Sequence, residues 1–185
     1  MPMNLADARL TLHEWVANPA LRHHMECVAA CMGAYADRIA PSERERWMLA
    51  GLLHDLDWER HPTREEHPRV GVEHLRGLGV DEEILRAILA HAPYVGVPRD
   101  TPMARHLFAV DELAGFIVAC GKVRPDGLAT LDPAGVRKRL RNASFAAAVS
   151  REDVATGVAE LGVPEDEHFA LCIAAIASMR DGTAT

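Results

Sequence analysis

Histidine and aspartate are the residue types in this sequence whose positions suggest chemistry, because imidazole and carboxylate both ligate metals and both carry protons. Ten histidines stand among 185 residues. What matters is which of them lie on helix faces that must be buried, since an ionisable group there has to be paired, metal-bound or expelled. In the segment carrying the apolar stripe Leu21, Met25, Val28, Met32 and Ile39, His24 lies about 60° from the centre of the stripe and His23 about 160° from it. His24 is therefore the inward one. His54 continues the line of Trp47 and Ala50, and Asp55 follows it in an almost wholly apolar stretch. His91 shares a face with Ile84 and Ile88. Asp111, inside FAVDELAGFIVA, aligns with Leu107, Ala114 and Val118.

Taken singly, each has an ordinary explanation: a histidine on an apolar face can be a hydrogen-bonded core residue, and an aspartate there can cap or pair. The HD dipeptide by itself is a weak signal. Together they say more. Four separate burials of ionisable groups would be costly, whereas one divalent cation at their meeting point compensates them all.

The elements that must position these residues are helical. Nearly every segment shows the 3.6-residue period and none sustains an alternation of two, so the fold is expected to be all-α, a single compact helical domain. A first helix is expected over Leu5 to Val16. Asn18-Pro19 reads as a cap and first position of a helix to about Ile39. Ser42 and Glu45 have capping-box spacing before an all-round apolar, hence central, helix through Leu53. Asp57 to Glu66 is a polar connection. Further helices are expected up to Leu78, from Asp81 to about Ala92, from Met103 to Cys120, and from about Pro164 to Met179. Asp132-Pro133 and Ser150 to Asp153 are start signals between the last two.

Composition excludes several classes. Lys and Arg total 20 against 27 acids, a formal charge of −7 with no basic run, so duplex nucleic acid is not an expected partner. No apolar stretch approaches the roughly 20 residues that span a bilayer, and MPMNLADARL lacks the regions of a signal peptide, so a cytoplasmic protein is expected. Cys27, Cys31, Cys120 and Cys172 form no CxxC pair and read as buried thiols.

The order His24, then His54-Asp55, then Asp111 resembles the signature of the HD superfamily of metal-dependent phosphohydrolases. AGLLHDLDWE is similar to that family's central helix and its exit, and FAVDELAGFI to the helix bearing its last aspartate. The resemblance covers about Leu21 to Arg124. More loosely, the remaining C-terminal third, a helical extension, resembles small bacterial proteins of the HDIG-type branch. It implies an all-helical domain in which His24, His54, Asp55 and Asp111 hold a divalent metal. Binuclear members carry two more histidines between the HD pair and the final aspartate; His67 and His91 occupy suitable places, with Asp55 as the bridging carboxylate. His67, just before Pro68 at a helix start, could equally be a solvent-exposed residue, and His61 is a weaker substitute. The sequence reads HDLD where the branch name implies HDIG, which leaves Asp57 open as a general base or as a residue supporting a ligand.

Imidazole and carboxylate without thiolate suit one or two ions of iron, manganese, cobalt, nickel or zinc, with magnesium less suited. Bound water would lose a proton near neutral pH to give a metal-bound hydroxide as nucleophile, Asp55 and Asp57 acting with it, and two ions about 3.5–4 Å apart would also neutralise a phosphoryl oxygen. Developing charge calls for cations, for which Arg99, Lys122 and Arg124 are the candidates, with Glu59 and Glu112 as supporting carboxylates. By family analogy the expected substrate is a small phosphorylated molecule, a nucleotide or other phosphate monoester. The absence of a GYP triplet after the HD pair argues against the cyclic-dinucleotide branch. Two other readings stay open: a mixed-valent di-iron oxygenase built on the same six ligands, and a non-catalytic HD module that binds a nucleotide.

Overall fold

Asn18 and Pro19 do what their types favour: Pro19 needs no N–H partner in the first turn, and the Asn18 side chain accepts from the Ala20 N–H. The same device recurs where Thr101 caps a helix opening on Pro102 and Asp132 one opening on Pro133. Ser150 caps another by accepting from the Asp153 N–H. The computed structural model describes residues 3–179. Its helices are α1 (Leu5–Trp15), α2 (Pro19–Ile39), α3 (Arg44–Leu53), α4 (Arg69–Gly77), α5 (Glu82–His91), α6 (Pro102–Lys122), α7 (Pro133–Leu140), α8 (Arg151–Leu161) and α9 (Glu165–Ala177). No strand occurs among the described residues, so the fold is all-α.

The capping box expected at Ser42 does not form. Pro41 opens a short 3₁₀ turn, Pro41–Glu43, and α3 starts after it with no side-chain cap. Glu45 instead accepts from the Leu5 N–H at 3.1 Å, tying the start of α1 to α3. α3 is central, as its composition requires: Trp47, Leu49, Ala50, Leu52 and Leu53 are buried, and it packs on α1, α2, α5 and α6. Gly51 lets it approach α2 so closely that a Cβ there would lie 2.8 Å from the Ala29 backbone.

Around α3 lie the two longest helices, α2 and α6, whose buried faces supply Met25, Val28, Met32, Leu107, Val110, Phe116 and Ile117. α8 and α9 pack against α6, and α9 also reaches α2. One polar pin crosses this second layer. The Tyr35 hydroxyl donates to His168 Nδ1 at 2.6 Å, and His168 Nε2 donates to the Ala109 carbonyl at 3.1 Å. All four cysteines are buried and unpaired. No helix among the described residues is long and apolar enough to cross a membrane.

Candidate metal centre

The inward ionisable groups come from helix ends and from helix faces turned toward α3. His24 lies in the second turn of α2. His54 and Asp55 follow the last residue of α3 and His91 is the last residue of α5, while Asp111 lies midway along α6. His67 precedes Pro68 across a cis peptide bond at the entrance to α4, and it is buried, not solvent-exposed.

The six side chains converge. His24 Nε2 is 2.9 Å and His54 Nε2 3.3 Å from Asp111 Oδ1. Asp55 divides its oxygens: Oδ2 faces His54 Nε2 at 3.5 Å, and Oδ1 faces both His67 Nε2 and His91 Nε2 at 3.4 Å. One donor atom each from His24, His54 and Asp111 lie within 4.8 Å of one another, and so do donors from His54, Asp55 and His91. Two donor groups therefore meet at the HD pair.

The second nitrogens show which atoms are available. His54 Nδ1 donates to the Gly51 carbonyl at 2.8 Å and His91 Nδ1 to the Ile88 carbonyl at 2.5 Å, both within the last helical turn. His67 Nδ1 donates to Asp57 Oδ1 at 2.7 Å. Holding one ring nitrogen as a donor leaves the other with its lone pair, which is how proteins prepare a histidine to ligate. His54 Nε2 is buried with no hydrogen-bond partner, an arrangement that is costly without a cation. With no thiolate near, the set fits a divalent ion of intermediate to hard character.

Electrostatics agree. Burial opposes charge on His54, but Asp55 and Asp111 outweigh it and hold its pKa well above the ordinary value. Burial would likewise raise Asp111, yet His54 and His24 keep it below the usual carboxylate range. Asp55 is held down in the same way, chiefly by His54 and then His91. A bound cation would take the place of the proton that these carboxylates favour on His54.

Asp57 is fully buried, and each of its oxygens is engaged: Oδ1 accepts from the His67 Nδ1–H and Oδ2 from the Gly71 N–H at 2.6 Å. With both oxygens hydrogen-bonded, Asp57 is placed to orient the His67 ring, the supporting one of the two roles left open for it. Glu112 lines the same cavity as the donors and accepts from the Ser150 N–H; burial, then the neighbouring Asp111, pushes its carboxyl up to about 7. Glu59 accepts from the Asn18 N–H. His61 pairs with Glu66, away from the donors.

The three expected cations divide. Lys122 lines a cavity that also contains His24. Arg99 is instead clamped by Glu160 and stacked 3.8 Å from the Phe108 ring centre, and Arg124 is engaged by Asp126 and Thr130; neither lines a cavity at the donors. The guanidinium that does line the donor cavity is Arg64, over the ring of Tyr94. Sequence reasoning missed Arg64, Tyr94 and Trp58. Their signal was position alone: each lies within a short loop that starts or ends at a donor.

Residues 21–114 match the HD domain family, half of the chain, and that stretch contains all six donors. The chain belongs to the HD domain family, whose members are typically metal-dependent hydrolases. It is 34% identical over 96 residues to Ribonuclease Y 2 of Levilactobacillus brevis; the match takes in 51% of this chain and 17% of that protein, so the chain spans under a fifth of its relative. No solved structure matches.

Proposed function

We propose that this chain is a metal-dependent phosphohydrolase acting on a small phosphorylated substrate. The observation that carries the reading is Asp55, a single carboxylate turned to both donor groups, with His24, His54 and Asp111 on one side and His67 and His91 on the other. This donor set would hold one or two divalent ions. When bound, such ions polarise a phosphoryl oxygen and acidify water, the two needs of phosphoester hydrolysis. The protein's own part is to hold three imidazoles by their Nδ1 atoms, keep Asp55 between them, and line the approach with Arg64 and Tyr94. Arg64 is the cation placed to meet a phosphate.

Elemental analysis of the purified protein, run beside a phosphoester screen with iron, manganese, cobalt, nickel and zinc, tests the reading. One or two exchangeable ions with phosphate release supported by them is the expected result, and Asp55→Ala should abolish both. Two tightly held irons with dioxygen-dependent turnover would replace it with the oxygenase. Nucleotide binding without turnover in the metal-loaded protein would replace it with a non-catalytic module.

A further inference from the structure

His24 differs from the other three imidazoles of the centre in its second nitrogen. His54, His67 and His91 each donate an Nδ1–H to a carbonyl or carboxylate, whereas among the described residues His24 has one hydrogen-bond partner, Asp111, and meets it with Nε2. When Nε2 turns its lone pair to a metal, the proton sits on Nδ1 and needs an acceptor. That nitrogen faces Gly115, on which a Cβ would lie 3.7 Å away, so position 115 supplies no side chain to engage it.

His24 and Gly115 line a cavity of about 580 Å³ that holds no other member of the donor set. It lies between the start of α2, from Asn18 to His24, and one face of α6, where Gly115, Val118 and Lys122 fall at i, i+3 and i+7. Leu21, Val118 and Trp58 give it apolar walls, and its volume suits a small organic molecule. The titratable groups that face it are Lys122, Glu59, His23 and His24. Glu59 already accepts from the Asn18 N–H at 2.8 Å. Arg99 and Arg124 are held by Glu160 and Asp126, but among the described residues no ion pair holds Lys122. The cavity thus offers one available cation, one donor in want of an acceptor, and apolar walls. A single negative charge matches it, since a second would stand against Glu59 uncompensated.

We propose that this cavity binds a small organic monocarboxylate that accepts the His24 Nδ1–H, with Lys122 as its countercharge and its apolar body against Trp58, and that its binding tightens the metal centre. The carboxylate does for His24 what Asp57 does for His67: it fixes the tautomer and makes Nε2 the stronger ligand. Linkage makes the effect mutual, so a bound ion tightens the carboxylate by the same factor. The inference rests on the metal centre and not on the reaction carried out there.

Benzoate is the probe and benzyl alcohol its uncharged counterpart, with binding read by calorimetry on the full chain, zinc-loaded and after chelation. Benzoate should bind both forms, at least about tenfold more tightly than benzyl alcohol, and Lys122→Met should weaken it at least about tenfold. Binding to the chelated protein separates this site from benzoate on the ion itself. In a zinc titration, saturating benzoate should lower the Kd about tenfold in the wild type. Gly115→Ser brings a hydroxyl within reach of His24 Nδ1, so without benzoate it should tighten zinc by about threefold or more, and benzoate should then have no further effect. A zinc Kd unmoved by benzoate in the wild type, benzoate binding unchanged in Lys122→Met, or a full benzoate response in Gly115→Ser overturns the carboxylate site and leaves the metal centre standing. A wild-type chain that takes up no zinc with or without benzoate overturns both.

Discussion

At the scale of single residues, the donors and their supports have different tasks, and substitution should separate them. Asp55→Ala removes the carboxylate common to both groups, so metal content should fall to near zero by elemental analysis. His67→Ala removes a ligand on one side, and a drop from two ions to one is expected. Asp57→Asn leaves all six donors but weakens the acceptor that fixes His67 Nδ1, which should lower affinity for one ion by about 10–100-fold in a metal titration. His23→Ala, at an exposed position, should keep its metal, and normal content in Asp55→Ala would refute the centre. Helical period alone pointed His24, His91 and Asp111 inward, because their stripes are regular. His67 and Asp57 were not readable in this way. They lie where no period applies, and only the folded turn brings Asp57 to His67 and to the Gly71 N–H.

At the scale of elements, helices were legible where one residue closes an orphan N–H beside a proline, as at Asn18 and Asp132. The Ser42 box failed because Pro41 starts a tighter turn and Glu45 finds the Leu5 N–H, a partner 40 positions away that no local rule includes. The glycines of α3 and α6 make the same distinction between local and tertiary causes. Gly51→Ala should destabilise by about 1–3 kcal/mol, since its Cβ meets α2 backbone at 2.8 Å. Gly115→Ala removes a helix-disfavouring residue where a Cβ fits and should stabilise by about 0.5–1 kcal/mol. Chemical denaturation of the two variants checks both signs. A destabilised Gly115→Ala would show that packing around His24 requires that glycine.

At the scale of the whole molecule, the layer formed by α8 and α9 is joined to α2 and α6 through a histidine outside the donor set. His168 is buried, accepts from the Tyr35 hydroxyl at Nδ1 and donates its Nε2–H to the Ala109 carbonyl, a pattern that needs the neutral ring. Burial pushes its pKa down to about 4. In the unfolded chain the group titrates near its ordinary value of about 6.5. Between those values the unfolded state binds the proton and the native state does not, so stability rises with pH across the window. The contribution is present above about 6.5 and lost progressively as pH falls toward 4. From pH 7 to pH 5 the loss is on the order of 2 kcal/mol for this group. His168→Gln keeps one arm of the pin and cannot take up a proton, so its stability should decline less on acidification. Denaturant unfolding of both proteins at pH 7 and pH 5 isolates the effect, because every other titrating group is shared. Equal declines in the two proteins would show that His168 does not couple acidification to the docking of α9.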